Sequence, residues 1–187
     1  MLLAPGAGAG RDQPQLVAID RAAAAAGATV ERIDFPYRQA GRRAPDRPPV
    51  LLATVADAAR RLPRPLVAGG RSMGGRIASM AVADGLVDAA ALVLVSYPLH
   101  PVGRPDRRRV EHLPRIAVPC LFVSGTRDAM GSPVELEEAA AAVAAPVTFH
   151  WVEGRDHGLR GADAEVASVV VGWLRGLGLL ADGDAPR

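Results

Sequence analysis

The segment from Pro65 to Gly85 constrains the chain most tightly. Leu66, Val67 and Ala68 make a short apolar run, Gly69-Gly70-Arg71-Ser72-Met73-Gly74-Gly75 follows, and Ile77, Ala78, Met80, Ala81 and Val82 supply the apolar residues of a buried helix. Read as strand, sharp turn and helix, the stretch holds Gly70-x-Ser72-x-Gly74, the G-x-S-x-G pattern of a nucleophile elbow in the context that the pattern requires. A serine at the apex of such a turn sits in a strained backbone conformation. Side chains two residues to either side would collide with one another, which accounts for glycine at both places. Ser72 would then stand at a helix N-terminus, where backbone N–H groups and the helix dipole stabilise a developing oxyanion. In a chain with 20 glycines a plain glycine-rich turn gives the same pattern, so its weight depends on what the remaining sequence brings to it.

Strand and helix alternate along that remainder. Leu2-Leu3-Ala4 reads as a first strand, Pro5 to Gly10 as a loop of small residues, and Pro14 to Ala26 as a helix capped by Gly27. Thr29 to Phe35 reads as a second strand, Pro36 to Pro49 as an Arg- and Pro-rich loop, and Val50 to Leu62 as a helix. After the central turn come a continuous apolar run from Ala89 to Ser96, an irregular segment from Tyr97 to Pro114, and a strand from Val118 to Ser124. Ser132-Pro133-Val134-Glu135 has the residues of a capping box and opens a helix expected to reach about Ala145. Val147 to Val152 and Ala164 to Leu177 complete the pattern as last strand and last helix.

This alternation predicts an α/β fold, a compact and mostly parallel sheet of about six strands with helices on both faces. Residues 1–180 are expected to form one domain without a large cap, and residues 181–187 a frayed polar tail. In such sheets ligands bind beyond the carboxyl ends of the strands, so chemistry is sought in the loops that follow strands.

Composition removes several alternatives. The 187 residues, 49% hydrophobic and 22% charged, suit one globular domain with a sizeable core. No apolar run approaches a membrane span, and Met1-Leu2-Leu3-Ala4-Pro5-Gly6 has neither the basic segment nor the long apolar stretch of a signal peptide. A cytoplasmic location is therefore expected. The calculated pI of 9.3 resembles that of nucleic-acid-binding proteins. The net charge, however, is only +2, and all 22 basic residues are arginines, so a small excess drives the pI far up. A phosphate-tracking surface needs more, and neither nucleic acid nor a membrane is expected as partner. Cys120, the single cysteine, lies in an apolar run and reads as an inert core residue. One cysteine and scattered histidines give no metal-ligand spacing, so no metal or other cofactor is expected.

A serine hydroxyl needs a base to take its proton, and the base needs an acid to hold its tautomer. Of the four histidines, His150 lies inside the last strand, His112 in the irregular segment, and His100 just after the fourth strand as a pocket residue. His157, in Glu153-Gly154-Arg155-Asp156-His157-Gly158, follows the last strand and is the best-placed base. Gly125-Thr126-Arg127-Asp128 follows the fifth strand and offers Asp128 as the acid, giving the chain order Ser, Asp, His. The plainer reading of Asp128 is a turn or cap aspartate. Asp156 adjoins His157 too closely in sequence to face it well. An oxyanion hole takes one N–H from the residue after the nucleophile, Met73, and one from the loop after the first strand, where Gly6-Ala7-Gly8 favours Ala7.

Taken together, Gly69-Gly70-Arg71-Ser72-Met73-Gly74-Gly75-Arg76, Phe35-Pro36-Tyr37, Tyr97-Pro98-Leu99-His100-Pro101, His112-Leu113 and Gly125-Thr126-Arg127-Asp128 resemble the KANL3/Tex30-type α/β-hydrolase family, which lies near the dienelactone hydrolases. The resemblance runs from about Leu3 to Leu174. It implies an α/β-hydrolase core with Ser72, Asp128 and His157 as triad. It also implies that Phe35, Tyr37, Tyr97 and His100 border the active-site mouth, and Gly6 and Arg71 are taken with them as substrate-pocket residues. Two departures limit the transfer. The chain starts at what would be the third strand of a full hydrolase sheet, and the dienelactone hydrolases proper use a cysteine nucleophile. The larger eukaryotic relatives include a scaffold subunit of a chromatin acetyltransferase complex, so membership alone does not imply turnover.

The leading expectation is a serine hydrolase that cleaves a small ester or related acyl bond through an acyl-enzyme. A second reading is a non-catalytic binding or scaffold protein on the same fold. A third, a dinucleotide-binding domain using the first glycine loop and Asp34, meets Arg11 where the fingerprint wants its last glycine. Arg42, Arg43, Arg104 and Arg107 to Arg109 either favour an anionic substrate or form a solvated surface. The acyl group and the oligomeric state are not legible.

Overall fold

Apolar side chains occupy both faces of nearly every strand, so the sheet is stable only if helices cover it twice. In the computed structural model, which describes residues 1–181, they do. The strands are β1 (Leu2–Ala4), β2 (Glu31–Arg32), β3 (Val67–Arg71), β4 (Ala91–Val95), β5 (Cys120–Gly125) and β6 (Val147–Val152). All pair in parallel, in the order β2-β1-β3-β4-β5-β6. The helices are α1 (Pro14–Ala25), α2 (Pro36–Gln39), α3 (Pro48–Arg60), α4 (Met73–Ala83), α5 (Pro133–Ala140) and α6 (Asp163–Gly176), with a 3₁₀ turn at Leu113–Arg115.

One face of the sheet, with Leu2, Ala68, Leu92, Leu94 and Phe122, packs under α3, α4 and α5 through Leu51, Val55, Ile77, Ala81 and Leu136. The other, with Leu3, Val67, Val93, Val95 and Val123, packs under α1 and α6 through Leu16, Ile19, Val166, Val170 and Leu174. Each fully buried Leu, Ile or Val contributes roughly 1.5–3 kcal/mol of transfer free energy, and this double layer is what fixes the loops at the strand ends. No helix is long and apolar enough to cross a membrane among the described residues.

Several boundaries move from their sequence expectations. β2 shrinks from Thr29–Phe35 to Glu31–Arg32, because it is an edge strand whose one neighbour, β1, is three residues long. α3 begins at Pro48 rather than Val50, since two prolines supply the preset φ of a first turn. Within the supposed loop from Pro36 to Pro49, residues Pro36–Gln39 form α2. α5 stops at Ala140 instead of about Ala145, and the Ala144 N–H turns to the Ile116 carbonyl at 3.0 Å. The span from 96 to 112 carries no helix or strand. The expected tail at 181–187 lies outside the described residues save for Ala181. Strand order reverses between β1 and β3, and Ser72 lies in the turn that leaves β3 at this switch point, where ligands of open parallel sheets bind.

Candidate active site

β1 is fully buried and runs beside β3 with Ala4 opposite Gly70. A Cβ on Gly70 would lie 2.1 Å from the Ala4 carbonyl oxygen, and one on Gly74 would lie 2.1 Å from the same atom. The elbow glycines therefore let the turn and the first turn of α4 pass against β1. The reason expected from the sequence, that residues two apart from Ser72 would strike each other, is not the one found. Ser72 itself has φ of +51° and ψ of −119°, a strained conformation costing about 1–3 kcal/mol. Its N–H donates to the Val95 carbonyl at 2.8 Å, and its carbonyl accepts from the Arg76 N–H at 3.1 Å, which hold the strain in place.

The loops after β5 and β6 are joined in a similar way. A Cβ on Gly125 would lie 2.1 Å from the Arg155 carbonyl oxygen, so glycine lets the two loops meet there. The Arg127 N–H donates to that carbonyl at 2.9 Å, and the Gly154 N–H donates to Thr126 Oγ1 at 2.8 Å. Asp156 Oδ1 accepts from the Gly158 N–H at 2.8 Å, which makes it a turn former. Gln15 of α1 donates to the Gly158 carbonyl at 3.3 Å.

These constraints bring three distant residues together. His157 Nε2 lies 2.9 Å from Ser72 Oγ, and His157 Nδ1 lies 2.8 Å from Asp128 Oδ2. Asp128 Oδ1 accepts from the Met130 N–H at 2.8 Å. The Asp128 side chain is 0% exposed and that of His157 is 25% exposed. A buried carboxylate fixes the proton on Nδ1 and leaves Nε2 to accept from the serine hydroxyl.

The other histidines are engaged elsewhere. His150 Nε2 lies 2.8 Å from Glu165 Oε1. His112 Nε2 lies 2.8 Å from Ser79 Oγ in a buried pair, and burial followed by the charge of Arg76 pushes the imidazole down to about 4. His100 donates from Nδ1 to the Pro101 carbonyl at 2.9 Å and is buried, with Nε2 3.4 Å from Glu135 Oε1. Burial also pushes the Cys120 thiol up to about 12. Asp34 accepts from the Arg11 N–H at 2.7 Å and so is already engaged, away from any ribose role.

In the turn after β1, the Gly6 N–H donates to Gln13 Oε1 at 3.0 Å and the Gly8 N–H to the Tyr37 hydroxyl at 3.1 Å. The Ala7 N–H, in an exposed turn, and the Met73 N–H, at the start of α4, donate to no protein acceptor among the described residues.

Four of the residues expected to border the pocket do something else. Phe35 and Tyr37 are fully buried and stack with ring centroids 6.3 Å apart. Tyr97 is buried edge-on against Phe122, centroids 5.6 Å apart, with its hydroxyl donating to the Arg109 carbonyl at 2.8 Å. Large rings gain most by complete burial, and each hydroxyl finds a backbone partner there. Arg71 turns its head inward: Nη2 donates to the His157 carbonyl at 2.7 Å, beside the buried Gly6. Burial lowers its pKa, against the opposing fields of Asp128, Asp156 and Asp163. Gln13 and Gln15, which tie down the turn after β1 and the His157 loop, escaped sequence reading because nothing local marks a partner up to 144 residues away.

Comparison with solved structures finds the same architecture. A protein assigned to the hydrolases of the alpha/beta superfamily from Xanthomonas campestris pv. campestris is 24% identical, with a TM-score of 0.72 over 94% of this chain and 97% of that one. An alpha-beta serine hydrolase homologue from Coxiella burnetii is 18% identical, with a TM-score of 0.75 over 92% and 84%. A dienelactone hydrolase from Anabaena variabilis is 20% identical, with a TM-score of 0.72 over 94% and 84%. At these identities the likeness is one of fold. The sequence itself goes further: residues 1–168 match the alpha/beta hydrolase domain, and the chain belongs to that family.

Proposed function

We propose that the protein is a serine hydrolase that cleaves a small ester or related acyl bond. The observation that carries this reading is the unbroken line from Asp128 Oδ2 through both nitrogens of His157 to Ser72 Oγ, at 2.8 and 2.9 Å. Ser72 Oγ attacks the acyl carbonyl while His157 Nε2 takes the hydroxyl proton, and buried Asp128 offsets the charge of the imidazolium. The carbonyl oxygen becomes an oxyanion held by the Met73 and Ala7 N–H groups. When the tetrahedral intermediate collapses, the bond to the leaving alcohol breaks and His157 returns its proton to that oxygen. Water, deprotonated by the same imidazole, then attacks the acyl-enzyme and releases the acid. The span from 96 to 112, without helix or strand, favours a site open to small substrates.

Within the alpha/beta hydrolases, the motifs from Gly69 to Arg76 and from Tyr97 to Pro101 favour the KANL3/Tex30-type group. A chain with a single buried cysteine needs no oxidising compartment, in keeping with action in the cytoplasm on a small molecule. A fluorophosphonate probe tests the central step. Labelling of the wild-type protein that disappears in Ser72→Ala is the expected result. Absent labelling, or equal labelling of Ser72→Ala, would leave the fold as a scaffold. Turnover of p-nitrophenyl esters of graded chain length would then define the acyl group.

A further inference from the structure

The loops after β5 and β6 carry Asp128 and His157, and they also enclose a surface recess of about 360 Å³ lined by Arg127, Gly154, Arg155, Asp156 and Arg160. All three arginines are exposed. None of them pairs with a carboxylate among the described residues, Asp156 included. Asp156 Oδ1 is taken by the Gly158 N–H at 2.8 Å. The arginine-rich span after β4 differs in this respect, since Arg104 pairs there with Asp106 and Arg108 with Glu138.

The backbone that presents these cations is fixed. The Arg155 carbonyl accepts from the Arg127 N–H at 2.9 Å, and a Cβ on Gly125 would strike that carbonyl, so two of the arginines leave one junction of the two loops. The Gly154 N–H is held by Thr126 Oγ1 at 2.8 Å and the Arg155 N–H by the Val152 carbonyl at 3.3 Å. Arg160 stands between Leu159 and Gly161, which have φ of +48° and +76°. A leucine in the left-handed region is strained, and complete burial of its side chain holds it there. Arg155 Nη2 comes within 3.9 Å of the Cβ position of Gly161, which brings its head beside the turn that carries Arg160. Like charges gathered around one recess repel, a cost that an arriving anion removes.

We propose that Arg127, Arg155 and Arg160 bind a phosphoryl group of a small ligand, at a site separate from Ser72. Three guanidinium groups against the one carboxylate of Asp156 leave two cations in excess. A phosphomonoester carries about −1.5 to −2 charge at pH 7 and three strong acceptor oxygens, which matches both that excess and the number of arginines. A carboxylate, with a single charge and two oxygens, matches neither. Guanidinium forks meet phosphate oxygens through parallel pairs of hydrogen bonds, which fixes the orientation of the group. The recess has the volume of a small-molecule site, so it also holds part of whatever carries the phosphoryl group. That group is either free inorganic phosphate or the end of a phosphorylated organic molecule. Binding needs no turnover, so the site is tested apart from the hydrolase reading.

Isothermal titration calorimetry of the full chain at constant ionic strength tests the site, with inorganic phosphate and glycerol 3-phosphate as ligands and acetate as control. At least one of the two phosphates is expected to bind at millimolar concentration or below, and acetate about tenfold more weakly or worse. Arg127→Gln and Arg155→Gln should each weaken binding by about tenfold or more, the scale of a lost charge-assisted hydrogen bond, and Arg155→Lys by less. Arg21→Gln removes an exposed charge from α1, away from the recess, and should leave the affinity unchanged. Each variant alters an exposed side chain, so the fold is kept. Tighter binding of glycerol 3-phosphate identifies a phosphorylated organic ligand, whereas equal or tighter binding of inorganic phosphate identifies the free ion. Binding of neither, an equal loss in Arg21→Gln, or acetate bound as tightly as phosphate overturns the proposal, whether or not Ser72 cleaves an ester.

Discussion

Arg71 and His157 stand 86 residues apart in sequence, yet an Arg71 Nη2 donates to the His157 main-chain carbonyl across 2.7 Å. Arg71 ends β3 and immediately precedes Ser72, so one half-buried side chain ties the elbow to the loop that carries the imidazole. Asp128, Asp156 and Asp163 surround its charge without a direct ion pair, which leaves the carbonyl as its anchoring partner.

Removing that anchor should loosen His157 without touching the substrate. Arg71→Met is expected to lower kcat on p-nitrophenyl acetate by about 10- to 100-fold, the scale of an ångström's misplacement of a reacting group, with KM little changed. Arg71→Lys, with a single compact donor, should recover part of the loss. Steady-state kinetics separate the two: an effect carried by KM alone would return Arg71 to the substrate pocket where the sequence had placed it.

The elbow glycines make a sharper demand. A Cβ at Gly74 meets the Ala4 carbonyl oxygen at 2.1 Å, and β1 is locked by burial on both faces. Gly74→Ala should therefore cost about 3 kcal/mol or more in urea unfolding, or leave the protein insoluble. Gly172 in α6 has open space around its Cβ position, and there alanine should stabilise by about 0.5–1 kcal/mol. The opposite signs at two helical glycines test the close approach rather than glycine as such.

What the sequence disclosed and what it withheld divide along a physical line. β4 and β5 announce themselves because a strand covered on both faces must be apolar at every position. Ser72, Asp128 and His157 could be singled out because each lies in a loop directly after a strand, and all such loops in a parallel sheet share one edge. The direction in which a side chain points is not local. Phe35, Tyr37 and Tyr97 flank strand ends and look from the sequence like rim residues, but the space under α3 and α4 takes their rings whole. The length of β2 depended on a partner strand of three residues, and the role of Arg71 on a carbonyl 86 positions away.

Tyr37 shows how a core ring can still reach the chemistry. Its hydroxyl, fully buried, accepts the Gly8 N–H at 3.1 Å and so braces the turn that offers the Ala7 N–H. Tyr37→Phe keeps the ring stack on Phe35 and removes only the acceptor. It should cost about 1–2 kcal/mol of stability and lower kcat several-fold through a looser oxyanion donor, with both measured on the same preparation. A loss of stability with kcat intact would confine Tyr37 to the core.

The buried pair of Ser79 and His112 gives the fold a defined acid limit. His112 Nε2 lies 2.8 Å from Ser79 Oγ, and the hydroxyl also donates to the Arg76 carbonyl at 2.8 Å, so Nε2 is the protonated nitrogen of a neutral ring. Burial, reinforced by Arg76, holds the imidazole down at about 4, against about 6.5 in an unfolded chain. The unfolded state thus binds the proton first. Stability from this group is complete above pH 6.5 and drains away as pH falls toward 4, by about 3 kcal/mol in all. For a chain of this length that corresponds to a fall in Tm of roughly 6–12 °C. His112→Asn, which cannot titrate, should start less stable at pH 7.5 but show a flatter Tm profile between pH 6.5 and 4. A parallel decline in the two proteins would assign the acid limit to carboxylates instead.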